Sequence, residues 1–239
     1  MLLHELKDLR IQQFSWDVID ANSYLIVEDK NALLFDAIDS TELMDALAPV
    51  KELSIILTHC HFDHICGLNR IREKMPNTVV YASLLCSKKI GSQFKNLSSS
   101  GDAFWAFYKN KKIQNKHLTT ENDKIHIIDP FICEPAEVTF EGETEISWCG
   151  HTIRLFQCEG HTNDSLIVVL DNEYMFTGDT LLPIPTVTRF PSGSTAKFWT
   201  ETIPKLKSIS AELVFPGHGA PGKLHDMVAI NKEPERYKT

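Results

Sequence analysis

Apolar runs broken by polar turn residues fill positions 9–36, with the breaks at Asp20-Ala21-Asn22 and Asp29-Lys30-Asn31. Short runs bounded in this way predict β-strands. Residues 41–48 predict a short helix, with Asp39 and Ser40 as its cap candidates. The run Leu53-Ser54-Ile55-Ile56-Leu57 reads as a buried strand. A helix is predicted from about 65 to 74, closed by Pro76, and a strand over 78–81. From Val138 the pattern turns to strands again, over 138–140, 144–148, 152–157, 165–170 and 173–177. Phe198, Ile203 and Leu206 recur at roughly helical spacing and predict a helix over 195–208. Pro204 counts against that helix, because proline removes a backbone donor and crowds the preceding turn. Leu213 to Phe215 is the last predicted strand. Periodicity alone specifies a mixed α/β protein.

The chain of 239 residues is long enough for one sizeable core, and a single domain over 1–239 is expected. Its formal net charge of −8 argues against nucleic-acid binding, which normally needs a basic face. No apolar run approaches the roughly eighteen residues of a membrane span. The opening Met1-Leu2-Leu3-His4-Glu5-Leu6-Lys7-Asp8 lacks the pattern of a signal peptide, so the cytoplasm is the expected location. Six cysteines, at 60, 66, 86, 133, 149 and 158, show no disulfide spacing. Cys60 should point away from its neighbours as a small buried hydrophobe. Packing is the favoured role for Cys158.

Chemistry concentrates at Thr58-His59-Cys60-His61-Phe62-Asp63-His64, directly after the 53–57 strand. Imidazole and carboxylate are the usual ligands of zinc and similar divalent ions. Left without an ion, such a cluster would need water or a hydrogen-bond partner for each side chain. Three later segments repeat the arrangement of an apolar run, a Gly-containing turn and a ligand: Cys158-Glu159-Gly160-His161, Phe176-Thr177-Gly178-Asp179 and Phe215-Pro216-Gly217-His218. Strand ends with short loops deliver side chains into one common space.

The ordered set His59-x-His61-x-Asp63-His64, His161, Asp179 and His218 resembles the metallo-β-lactamase superfamily of metal-dependent hydrolases. The likeness runs from Asn22-Ser23-Tyr24-Leu25-Ile26-Val27 to Gly219. It implies a four-layer αββα sandwich. It also implies two divalent metal ions, with zinc expected and iron or manganese suited to the same donors. His59, His61 and His161 would hold one ion, Asp63, His64 and His218 the other, and Asp179 would bridge them. A metal-bridging hydroxide would be the nucleophile, with Asp63 orienting it or relaying its proton. Asp36 and Thr58 are candidates for orienting the ligands, and a strand-end turn is the competing role for Asp36.

Within the superfamily the motif resembles glyoxalase II, a thioesterase, although only about twenty residues follow His218 where that group carries a helical domain. Lactonases of the family place a tyrosine after the bridging aspartate, and Thr180-Leu181-Leu182-Pro183 has none. The expected reaction is hydrolysis of a small-molecule ester, thioester or lactone. A mononuclear-iron persulfide dioxygenase, using mainly His59, His161 and Asp179, is one alternative. A phosphodiesterase and a low-activity metal-binding regulatory protein are the others. Residues 84–128 read as a helical insertion. Phe94, Phe104, Trp105, Phe107 and Tyr108 there, with Lys88, Lys89, Lys95, Lys109, Lys111 and Lys112, suggest a lid that meets an anionic substrate group. An ordinary packed helix or a homodimer contact is the competing role. Arg189 could position an acidic substrate or anchor its own loop.

Overall fold

The computed structural model of the chain describes residues 1–6, 9–101, 103, 129–232 and 234. Four antiparallel strands open it: β1 (Leu2–Glu5), β2 (Arg10–Ser15), β3 (Asn22–Glu28) and β4 (Asn31–Phe35). Parallel pairing then adds β5 (Glu52–Ile56), β6 (Val79–Ser83) and β7 (Val138–Phe140), so the seven strands lie in sequence order. The second sheet contains β8 (Glu143–Trp148), β9 (His151–Gln157), β10 (Leu166–Leu170), β11 (Tyr174–Gly178) and β12 (Leu213–Pro216). It is antiparallel except where β12 joins β11 in parallel. Asp20 and Asp29, in the two predicted breaks, take left-handed φ angles of 57° and 54°. Asp is one of the few non-glycine residues that tolerate this region.

Two-residue periodicity sorts the side chains into layers. Ile11, Tyr24, Ile26, Leu33 and Phe35 face the second sheet, where they meet Leu155, Val168, Phe176 and Phe215. The Phe35 and Phe176 rings stack there with centroids 3.6 Å apart. On the other face, Leu25, Leu34 and Ile55 pack under α1 (Thr41–Leu47), α2 (Phe62–Ile65), α3 (Leu68–Lys74) and α4 (Leu84–Ile90). The outer face of the second sheet is covered by α5 (residues 195–208) and α6 (Leu224–Ile230), through Phe198, Ile203, Leu206 and Met227. Three buried apolar clusters between four layers make the αββα sandwich expected from the resemblance.

Pro204 does not break α5. The helix widens to a π-helical segment at Phe198–Thr202, where the Ile203 N–H reaches the Phe198 carbonyl. Pro204 then lies at the start of Ile203–Ser208, where a missing N–H is tolerated. The helix predicted over 65–74 is split by Cys66 and Gly67. A Cβ on Gly67 would lie 2.2 Å from the Ile38 carbonyl oxygen, so only glycine lets this turn approach the Ile38 backbone. Edge strand β1 and helix α6 have no sequence prediction to match them.

In the described part of the 84–128 segment, Cys86, Ile90 and Leu97 belong to the outer core of the first sheet, and Phe94 is exposed. Phe104, Trp105, Phe107, Tyr108, Lys109, Lys111 and Lys112, which share the lid expectation with Phe94, Lys88, Lys89 and Lys95, lie outside the described residues. Lys89 differs from the expectation of a lysine free to meet substrate, because it is buried in polar contacts. Among the described residues no helix is long and apolar enough to cross a membrane.

Candidate metal centre

The candidate ligands stand at one edge of the sandwich, on segments that leave the C-terminal ends of strands. β5 leads into His59, His61 and α2, whose first turn carries Asp63 and His64. β9 leads to His161, β11 to Asp179 and β12 to His218. Parallel pairing of β4 with β5 and of β11 with β12 places these ends side by side. Gly178 and Gly217 let the loops close up. Gly178 has φ +48°, and a Cβ there would sit 2.3 Å from Thr58 Oγ1. A Cβ on Gly217 would sit 2.3 Å from Asp179 Oδ1 and 2.8 Å from His64 Cε1.

All seven predicted ligands come together. Nitrogens of His59, His61 and His161 form one group with atoms within 4.8 Å of one another, and Asp63, His64 and His218 form a second. Asp179 lies between them. Its Oδ2 is 3.5 Å from His161 Nε2 and 3.4 Å from His218 Nε2, and its Oδ1 is 3.3 Å from His64 Nε2. His61 Nδ1 faces His161 Nε2 at 3.0 Å. Asp63 Oδ2 stands 3.2 Å from His218 Nε2 and 3.5 Å from His64 Nε2.

Partners outside the cluster set the tautomers. His161 Nδ1 lies 2.8 Å from the Val187 carbonyl, which can only accept, so the ring donates there and its Nε2 is bare. His64 Nδ1 likewise donates to Asp36 Oδ2 at 2.8 Å. Thr58 spends its hydroxyl proton on Asp36 Oδ2 at 2.7 Å, so its oxygen accepts from His59 Nδ1 at 3.1 Å. His59 and His161 therefore turn Nε2 lone pairs toward the cavity, and His64 turns its Nε2 to the same space. His59 Nε2, His64 Nε2 and Asp179 Oδ1 are buried with no hydrogen-bond partner. Such orphans are costly in a folded protein. A pair of divalent cations would satisfy them, so the donor set fits such a pair.

Protonation separates the two groups. Burial, reinforced by the neighbouring histidines, holds His59 well below the usual histidine range. Burial and then His161 push His61 down to about 3. Burial also lowers His161, against the pull of Asp179. Neutral imidazoles are what a cation needs. In the second group burial opposes the charged form of His218, but Asp179 and Asp63 outweigh it and raise the ring to about 10. His64 is raised in the same way, burial being outweighed by Asp63, Asp179 and Asp36. Burial works against ionised Asp63, yet His64 and His218 keep its carboxyl below the usual range. Asp179 is lower still, with His218, His64 and His161 outweighing burial.

Asp36 has both of its candidate roles. Its φ of 57° turns the chain at the end of β4, and its carboxylate holds the Thr58 N–H at 2.7 Å, the Thr58 hydroxyl and His64. With both oxygens occupied, Asp36 orients ligands, although it also lies within reach of His59 and His64. Cys60 and Cys158 are buried within apolar clusters. Arg189 is exposed on the loop that follows Val187. Phe190, on the same loop, covers the first group, with ring centroids 5.2 Å from His61 and 4.8 Å from His161. His4, His151 and His225 lie elsewhere and bond to Gln13, Asp171 and Asp226. No sequence pattern marks the Val187 carbonyl or Asp164, and the sequence presents Lys89 only as one of the basic residues of the 84–128 segment. Asp164 lies three residues past His161, and no motif marks it.

Residues 16–218 match the family model described as the metallo-beta-lactamase superfamily. Among relatives, the chain is 39% identical over 59 residues to the probable metallo-hydrolase YqgX of Bacillus subtilis, covering 23% of this chain and 28% of that protein. It is 25% identical over 205 residues to the probable metallo-hydrolase M6_Spy0554 of Streptococcus pyogenes serotype M6, covering 83% of this chain and 78% of that one. Among solved structures, the B3 metallo-beta-lactamase BLEG-1 superposes with a TM-score of 0.66 at 21% identity, covering 92% of this chain and 97% of that one. TTHA1623 in a di-iron-bound form superposes with a TM-score of 0.64 at 20% identity, covering 92% and 98%. At these identities the structural likeness is one of fold.

Proposed function

This chain belongs to the metallo-β-lactamase superfamily, and on that premise we propose that it is a dinuclear metal-dependent hydrolase of a small-molecule ester, thioester or lactone. The observation that carries the reading is the pair of three-residue donor groups with Asp179 between them and bare, buried donor atoms facing inward. His59, His61 and His161 would hold one ion, Asp63, His64 and His218 the second, and Asp179 would touch both. Two divalent ions bound there would lower the pKa of a shared water and polarise the substrate oxygen. Zinc is the ion we expect, with iron its main competitor because a neighbour of the same fold is di-iron-bound.

The protein groups supply the rest. Asp63 is held ionised and can accept a proton from the attacking water. Val187, Thr58 and Asp36 keep the ligand rings in the tautomers that point lone pairs inward. Phe190, packed against His61 and His161, forms an apolar wall that favours an acyl or alkyl group beside the reacting carbonyl. Metal analysis of purified protein, paired with assays on thioesters, esters, lactones and phosphodiesters, tests the reading. Two equivalents of metal and metal-dependent cleavage of an acyl bond are expected. A single iron with no hydrolysis, cleavage of phosphodiesters alone, or bound metal with no turnover would each refute it.

A further inference from the structure

A buried lysine behind the first donor group has no part in the chemistry above. Lys89, on α4, is 8% exposed, and its partner Asp164 is fully buried. An ion pair taken out of water loses solvation that Coulomb attraction only partly returns, so stability alone is a weak reason to have one. A protonated lysine amine has three N–H donors. All three have acceptors: Asn163 Oδ1, Asp164 Oδ1 and, at 2.9 Å, Ser192 Oγ.

Each acceptor lies on a segment that serves the same metal trio. Asp164 Oδ2 accepts the backbone N–H of Cys60 at 2.9 Å, and Cys60 is the residue between His59 and His61. The Cys60 thiol also points at Asp164 Oδ1, at 3.6 Å. Asn163 and Asp164 follow His161 within three residues. Ser192 belongs to the loop whose Val187 carbonyl sets the His161 tautomer and whose Phe190 lies on the rings of His61 and His161. That loop also docks on the His161 turn through the Ser194 N–H, which donates to the Gly160 carbonyl at 2.8 Å. The second trio is held differently: Asp36 orients His64, and among the described residues no hydrogen bond or ion pair joins Lys89 or the Asp164 side chain to Asp63, His64 or His218.

We propose that Lys89, through Asp164, is a positioning residue dedicated to the first metal trio, tying the 59–61 turn, the 161–164 turn and the 187–192 loop at one ammonium. The inference rests on the dinuclear reading of the site. It makes the two ions separable: loss of the lysine loosens one of them. A neutral residue cannot replace it, because Asp164 would be left as an unpaired buried charge between two ligand segments.

The test is sequential Co2+ titration of the full chain, read by its absorption spectrum and by competition with a chelator, alongside thermal melting by circular dichroism. In Lys89→Met one ion should bind about 10- to 100-fold more weakly, the range typical of lost ligand-orienting contacts. The other ion should stay within about twofold, and the weakened ion should be the one that His161→Ala also loses. Lys89→Arg keeps charge and several donors and should recover most of the loss. Asp164→Asn can still accept from Cys60 but loses the charge, and it should weaken the same ion if Lys89→Met fails to fold. Equal weakening of both ions in step with a lowered melting temperature would overturn the proposal. So would unchanged binding of both ions in Lys89→Met or, where that variant does not fold, in Asp164→Asn. A wild-type protein that binds fewer than two ions would overturn the dinuclear reading itself, and the inference with it.

Discussion

Asp36 offers a perturbation whose consequence can be followed atom by atom. Its carboxylate accepts from three buried donors: the Thr58 N–H at 2.7 Å, the Thr58 hydroxyl at 2.7 Å and His64 Nδ1 at 2.8 Å. Alanine would leave all three without this acceptor. Each buried polar group so abandoned costs about 1–3 kcal/mol, so the three together cost about 3–9 kcal/mol. That is comparable with the total stability of a domain, about 5–15 kcal/mol. Asp36→Ala is therefore expected to be severely destabilised and to say little about metal. Asp36→Asn is the sharper variant. Its carbonyl oxygen can stay on the Thr58 N–H, but its amide nitrogen then faces the Thr58 hydroxyl and His64 Nδ1, both of which now donate. Relief requires His64 to move its proton to Nε2, which removes the lone pair aimed at the second ion. Loss of such an orienting contact weakens metal binding by about 10- to 100-fold, or about 1.4–2.8 kcal/mol. The assay is a two-site metal titration with histidine tautomers read by nitrogen NMR. The second ion should weaken and His64 should change tautomer, while the ion at His59, His61 and His161 holds. Wild-type affinity for both ions in Asp36→Asn would refute the reasoning.

Gly217→Ala leaves every ligand in place but drives a methyl group to 2.3 Å from Asp179 Oδ1, so turnover should fall by about 10²-fold or more with native circular dichroism. Asp63→Asn keeps the shape of a proton acceptor without its charge, and kcat should drop about 10²- to 10⁴-fold in metal-loaded protein assayed at saturating metal. Metal-free protein should become less stable as pH rises. His218 has a folded pKa of about 10 against an ordinary 6.5, so its stabilisation is complete below about 6.5 and is lost as pH climbs through 10. Melting temperatures measured in chelator should decline across that window, and a flat profile would contradict the charge pairing of His218 with Asp179 and Asp63.

Much of this protein follows from one-dimensional pattern. Apolar runs in 9–36 and 138–177 mark the strands, and because successive side chains on a strand point to opposite faces, the pleat sorts them between the layers. The turns at Asp20 and Asp29 follow from residues that tolerate left-handed backbone. The seven candidate ligands are legible because each needs a rare side-chain type at the end of an apolar run. Other features depend on contacts distant in sequence, which local pattern does not encode. Asp36 meets Thr58 and His64 across β4 and β5, and Val187 meets His161 across a loop. Lys89 reaches Asp164 and Ser192 from a helix whose sequence suggests a lid. The π-helical segment before Pro204 is likewise a tertiary solution, in which packing of Phe198 and Ile203 on the second sheet keeps the helix running where propensity alone would end it. Residue type and spacing thus decide which atoms are available for metal chemistry. Only the packed sheets decide which lone pairs face the centre, because a ring's tautomer is set by the partner the fold brings to its other nitrogen.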